Sequence, residues 1–435
     1  MKKTLFLAAI MVVLPALFGS CDIQDDPVMQ ERTSQKQEVA NTQERHKGQQ
    51  DEGQQNEENQ AESFSLPETR LTLSEAEMQN IAPTNEFTIK FFRDNYASGS
   101  DMLLSPLGIQ QTMAMVGNLV KDEEHFYEML GFEGAKATEV NDYYKHLIEN
   151  LSGQKFSKEL KLANAMISDI RAKKYPDSFL DVMKNSYFAD YMEIEAKSLH
   201  AQPVGSRPED VWCREKTGGL INSAPKPIME ATTSLLNAIC FNGEWQDKFD
   251  KDRTIQDRFY VKLSESVPMS FMRKTSTVPY YENQEFCSAS LPFGDGTFTL
   301  SIILPKTTYD VTGLLEKFDS NMWETMRKGL VKEELNLGIP VFSTSYSYNM
   351  ILDCKYKDGV EPFDALAQKA TFLMNEDGAS AAAVTQVFQA TAAGPSENRT
   401  KDFYVNHPFV YTISEAGSGL ILFIGAFCGG EGSLI

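Results

Sequence analysis

Between Asn85 and Tyr96, and again between Ile109 and Leu119, apolar residues recur at the three- and four-residue spacing of a single helix face, which predicts two amphipathic helices. Further along the chain the period changes. Thr297-Phe-Thr-Leu-Ser-Ile-Ile-Leu304 and Glu334-Leu-Asn-Leu-Gly-Ile339 read as strands, and Gly294-Asp-Gly296 ahead of the first is a turn signal. Helical patterns gather early and strand patterns late. No repeat and no long second linker interrupts residues 66–435, so the pattern predicts one α+β domain, larger than usual, with antiparallel sheets.

The chain ahead of that domain is patterned differently. Met1-Lys2-Lys3 is followed by an apolar run from Leu5 to Phe18 and then Gly19-Ser20-Cys21. The run is too short to span a bilayer and fits an export signal over residues 1–20. Small residues directly before Cys21 resemble a bacterial lipobox, which makes Cys21 the expected lipid-attachment residue and the lipid the only expected membrane contact. Residues 21–65 are rich in Gln, Glu and Asn and almost free of aromatics, so they cannot bury enough apolar area to offset the entropy of ordering. From Asp22 to Glu62 there are 11 acidic and 4 basic residues, a net of 4 − 11 = −7, which predicts a disordered tether extended by self-repulsion. Asp22, Asp25 and Asp26 resemble the surface-export signals of some lipoproteins, so the expected location is the cell envelope, at the outer membrane or cell surface.

Charge and motif content narrow the function. Sixty-one acidic residues against 41 basic ones give a net charge of −20, which repels phosphate backbones and argues against a nucleic-acid partner. Cys213, Cys240, Cys287, Cys354 and Cys428 form no CxxC pair and no metal spacing, and are read as mostly buried small hydrophobes. Neither a metal nor a cofactor is expected. The five histidines, His46, His125, His146, His200 and His407, make no HExxH, and GxSxG and GxxxxGK are also missing, so the common hydrolase and nucleotide signatures are absent and the chain is not expected to be an enzyme. His407, which precedes Pro408 in an expected strand, is read as structural.

One segment stands apart. From Gly378 to Gly394 there is neither a charge nor a proline, and Ala379, Ser380, Ala381, Ala382 and Ala383 follow the acidic turn Asn375-Glu376-Asp377-Gly378. Small uncharged side chains are what a segment needs if it is to slide between two paired strands, because each bulky or charged group would have to be desolvated on the way in. Period-2 alternation places Ala379, Ala381, Ala383 and Thr385 on one face.

Several blocks, in order, resemble the serpin family: Asn85-Glu-Phe87, Ser105-Pro106-Leu107-Gly-Ile109, Leu162-Ala-Asn-Ala165, Leu236-Asn237-Ala-Ile-Cys-Phe241-Asn-Gly243-Glu-Trp245, Leu291-Pro-Phe293, Ile302-Ile-Leu-Pro305, His407-Pro408-Phe409 and Leu422-Phe-Ile-Gly425. Together they cover roughly residues 80–428. The resemblance implies the serpin fold, with helices packed on antiparallel sheets and an exposed reactive-centre loop, and it implies suicide inhibition of a serine or cysteine protease. It makes Glu376, Gly378, Ala379 to Ala383 and Thr385 the hinge of that loop, and Ser105, Asn237 and Trp245 residues of the sheet-opening and breach region. In the family the scissile residue lies fourteen positions after the hinge glycine, which gives 378 + 14 = 392, so the expected reactive bond joins Ala392 to Ala393. A small residue there suits an elastase-type protease, while Phe388 and Arg399 are competing bait residues for chymotrypsin-like and trypsin-like enzymes. The expected partner is that protease, and the expected state a monomer. Two features depart from the family: Glu209-Asp-Val-Trp212 keeps only the Trp, with Thr217, of the usual helix motif, and Gln368 stands where many members carry a histidine. The alternative is a serpin-fold surface protein that binds a partner without trapping proteases; a nutrient-binding lipoprotein ranks last, with three Trp and none in a paired motif.

Overall fold

Helical spacing in the first half of the chain becomes α1 (Glu75–Met78), α2 (Ile81–Asn95), α3 (Pro106–Gly117), α4 (Glu123–Met129), α5 (Ala137–Ser152) and α6 (Asp177–Ser186) in a computed structural model of the protein. The structure describes residues 62–430 except 154–155, 157–158, 196–202, 226–232, 308 and 380–399. Helix α2 buries Ile81, Ile89, Phe91 and Phe92, while Glu86 and Asp94 are exposed and Lys90 and Arg93 half-buried, as its spacing predicts. All of α3 is buried. Its start follows local chemistry: Pro106 occupies the first turn, where no amide is missed, and the Ser105 hydroxyl accepts from the Gly108 amide.

The strands, in chain order, are β1 (Glu62–Ser63), β2 (Met102–Leu104), β3 (Leu160–Asp169), β4 (Asp190–Ile194), β5 (Thr233–Phe241), β6 (Gly243–Glu244), β7 (Ile255–Lys262), β8 (Glu265–Glu282) and β9 (Phe286–Phe293). They continue as β10 (Phe298–Pro305), β11 (Val331–Pro340), β12 (Phe342–Ile351), β13 (Ala365–Asn375), β14 (Gly378–Ala379), β15 (Lys401–Tyr404), β16 (Phe409–Glu415) and β17 (Ile421–Phe427). Gly294 and Gly296 turn the β9–β10 hairpin with φ of 51° and 84°, the left-handed region that the Gly-Asp-Gly sequence predicts. Two further helices, Thr312–Leu315 and Ser320–Lys328, and a third, Pro208–Lys216, lie among the strands, so the division into early helices and late strands is only partial.

These strands form two sheets. A ten-stranded sheet runs β1-β11-β8-β9-β10-β16-β17-β2, with β7 on β8 and β15 on β11. A seven-stranded sheet runs β4-β3-β5-β13-β14-β6, with β12 on the other side of β13. Pairing among the described residues is antiparallel except for β3 with β4, β11 with β15, and β5 with β13. The main core joins the sheets to the helices through residues such as Phe92, Tyr144, Phe241, Phe342 and Phe427. On the other face of the seven-stranded sheet, Trp212 and Cys213 of helix Pro208–Lys216 cover a thin apolar patch of Ala165, Leu236, Ala238 and Cys240.

Candidate functional site: a seam in the sheet and the fork at its end

Strands β5 and β13 lie side by side and parallel, in register from Ser234 opposite Ala365 to Cys240 opposite Thr371. A segment leaving the end of β13 through a tight turn must run antiparallel to β13, and therefore antiparallel to β5 as well, so it can bond to both edges at once. β14 does this over two residues. Gly378 and Ala379 pair with Asn375 and Met374 on one side and with Glu244 and Gly243 of β6 on the other, both pairings antiparallel. The sheet is thus forked just past the β5–β13 register, and β14 fills the fork.

Local sequence accounts for this conformation. The Asn375 side-chain oxygen accepts from the amides of Asp377 (3.0 Å) and Gly378 (3.2 Å), closing the turn. Gly378 has φ of +145°, and a Cβ there would lie 2.2 Å from the Gly243 carbonyl oxygen and 2.6 Å from the Glu244 Cα, so only glycine lets the two backbones approach. The Ala379 methyl group is buried in the main core. Around the fork, the Trp245 indole donates to the Asn375 carbonyl at 2.8 Å, the Trp245 amide to Asp377 O at 3.0 Å, and the Phe249 amide to Glu376 O at 3.0 Å. The Glu376 carboxylate accepts from the Thr254 hydroxyl at 2.6 Å. Trp245 is itself stacked on Phe293, with ring centroids 4.5 Å apart and planes 9° from parallel.

A second set of polar groups crosses the seam beneath α3. Gln368 of β13 accepts from the Ser105 amide (2.9 Å) and donates to both the Ser105 carbonyl (2.8 Å) and the Asn237 Oδ1 of β5 (2.9 Å). Asn237 donates in turn to Asn164 of β3 (2.9 Å), and Asn164 to the Tyr187 carbonyl (3.2 Å). The three side chains, Gln368, Asn237 and Asn164, are buried, so each bond replaces one that water would otherwise make. The Gln368–Asn237 bond is the side-chain tie across the seam. An amide does not titrate, so this tie has the same donors and acceptors at pH 5 as at pH 8.

The structure therefore places Ser105 and Asn237 together, with Gln368, at the middle of the seam, and Trp245, Glu376, Gly378 and Ala379 together at the fork. Ser380, Ala381, Ala382, Ala383 and Thr385, the bond between Ala392 and Ala393, the competing Phe388 and Arg399, and Cys21 all lie outside the described residues. Sequence reading singled out Gln368 only as a departure and did not assign Asn164 or Lys251. Asn164 lies on β3 opposite Asn237 of β5, and Lys251 lies next to the fork, positions that become visible only once the pairing is known.

Residues 82–352 and 362–429 match the family model described as Serpin (serine protease inhibitor). The chain belongs to the serpin family. Membership supports protease inhibition in general. Among relatives of this serpin, an uncharacterized serpin-like protein of Thermococcus kodakarensis is 24% identical over 84% of this chain and 90% of its own length. The leukocyte elastase inhibitor of Homo sapiens is 26% identical over 80% of this chain and 99% of its own. The fold is shared with the thermophilic serpin tengpin in its native state, at a TM-score of 0.69 and 21% identity over 85% of this chain and 97% of that one. Thyroxine-binding globulin in complex with thyroxine gives a TM-score of 0.68 and 18% identity over 81% of this chain and 99% of that one.

His407 of the serpin, in the segment between β15 and β16, meets Pro305 at the end of β10 and the adjacent Asn406. Its Nε2 lies 2.7 Å from the Pro305 carbonyl oxygen and its Nδ1 3.0 Å from Asn406 Oδ1, and burial holds its pKa below the ordinary 6.5. The folded state therefore binds a proton less readily than the unfolded chain. The stability this residue contributes is present above pH 6.5 and is lost as pH falls through the lowered value. Urea unfolding at pH 7.5 and pH 5.5 is expected to show a smaller drop in His407→Gln than in the parent; equal drops would remove His407 from the account.

Proposed function

We propose that this serpin is a suicide inhibitor that traps proteases by letting its cleaved reactive loop insert as a new strand between β5 and β13. The observation that carries the reading is the two-residue β14, already paired antiparallel on both sides at the head of a parallel seam. A loop continuing in the same direction meets two strand edges of the orientation it needs.

In the proposed reaction the hydroxyl or thiol of the target protease attacks the Ala392 carbonyl carbon. The carbon–nitrogen bond to Ala393 breaks, and the new amine leaves with a proton from the protease's own base. Hydrolysis of the resulting ester or thioester requires the protease active site to stay intact. Insertion of the freed loop carries the acylated protease with it and disrupts that site before water attacks. A small residue at 392 favours an elastase-type target, and the likeness to a leukocyte elastase inhibitor points the same way. Lipid attachment at Cys21 would hold the inhibitor at the cell envelope as a monomer.

Incubation with pancreatic elastase is the direct test: an SDS-stable complex should form, and N-terminal sequencing of the released C-terminal fragment should begin at Ala393. Cleavage without a covalent complex would support the alternative, a serpin-fold surface protein that binds a partner without trapping proteases.

A further inference from the structure

Four charged side chains bracket the fork, and the sequence reading assigned none of their contacts. Asp377, in the turn that leads into Gly378, meets Lys251 Nζ at 2.7 Å and Lys248 Nζ at 3.9 Å, and Lys248 also meets Glu244 of β6 at 3.1 Å. Signs alternate along this chain of charges: Glu244, Lys248, Asp377, Lys251. Glu244 is the residue paired with Gly378 in the fork, so the network links the strand on one side of β14 to the turn on the other. Lys251 has its pKa raised by the hydrogen bond to Asp377.

We infer that Lys248 and Lys251 are positioning residues for the inhibitory reaction: by clamping Asp377 from the β6 side they keep Gly378 and Ala379 seated in the fork, so that after loop cleavage the inserted strand grows from an existing nucleus. The inference rests on the proposed trapping mechanism and adds a determinant of its efficiency. Strand growth from two pairs already made on both edges needs no new separation at the head of the sheet, whereas an unseated hinge must first part β6 from β13. Insertion competes with hydrolysis of the acyl-enzyme, so any slowing of its first step shifts the outcome from trapped complex to cleaved inhibitor. Glu244, Lys248, Asp377 and Lys251 are about half exposed or more, so salt screens the clamp.

The effect expected of each charge is therefore modest but measurable. In Lys251→Gln and Asp377→Asn, the number of inhibitor molecules consumed per elastase trapped should rise about two- to five-fold at low salt, in line with the strength of exposed ion pairs. Lys251→Arg should stay near the parent, because it keeps the charge and the donor. In the parent the same ratio should climb between 0.05 and 0.5 M sodium chloride, and in Asp377→Asn it should not. Hydrogen exchange at the Gly378 and Ala379 amides, measured on the same proteins without protease, should be faster in Asp377→Asn than in the parent. Equal ratios with an equal salt response in parent and variant would overturn the clamp, and so would unchanged exchange at the fork. A parent that forms no complex with any protease, yet shows the exchange difference, would overturn the trapping mechanism and the clamp's part in inhibition, leaving only a structural ion network.

Discussion

Cutting the loop between Ala392 and Ala393 is expected to give a molecule that unfolds at a markedly higher temperature than the intact protein. If about a dozen residues enter the seam and gain one to two backbone hydrogen bonds each, at a net of roughly 0.5–1.5 kcal/mol per bond, insertion is worth on the order of 10–20 kcal/mol. That equals or exceeds the roughly 5–15 kcal/mol that holds an ordinary domain folded. Differential scanning calorimetry of intact and elastase-cut protein measures the change directly, and an unchanged melting temperature would mean that no strand has entered. The companion variant is Ala379→Arg. Ala379 is 1% exposed and packs in the main core between β13 and β6, so an arginine there cannot keep its charge solvated while β14 stays in the fork. Only the two-residue β14 needs to leave, so the fold should survive. The variant should be cleaved as a substrate without forming complex and without the rise in melting temperature.

The second large effect is expected at Asn237. Replacing it with alanine removes the bond it donates to Asn164 and the acceptor used by Gln368, and leaves both partners buried without them. The cost to the intact protein should be about 2–4 kcal/mol, one to two unsatisfied buried groups. The loop-cut form should lose less, because a strand inserted between β5 and β13 separates Gln368 from Asn237 in any case. Urea unfolding midpoints of the two forms are the measurement: the gap between them should widen in Asn237→Ala relative to the parent. Equal losses in both forms would show that the seam stays closed after cleavage.

Much of the architecture was readable before any coordinates. The spacing over Asn85–Tyr96 and Ile109–Leu119 became α2 and α3, and the patterns at Thr297–Leu304 and Glu334–Ile339 became β10 and β11; α2 buries one face set by its period, whereas α3 is buried all round and β10 on both faces. The turn glycines at Gly294 and Gly296 and the Ser105–Pro106 helix start were equally legible, since their chemistry acts within a few residues. Of the run of small residues read as a segment able to enter a sheet, only Ala379 lies among the described residues, in β14.

What no linear reading could supply is which strands flank the fork that β14 occupies. The parallel placement of β5 beside β13 joins residues more than a hundred positions apart, and a parallel pair has no hairpin turn to announce it. The tie from Gln368 to Asn237 and on to Asn164 depends on that pairing, as does the approach of Lys248 and Lys251 to Asp377, because side chains on separate strands meet only after the register between those strands is set. Residue types along the chain determine which segments can become helix, strand or turn; long-range packing decides which of them stand next to one another, and the seam, its polar tie and its charged fork exist only at that level.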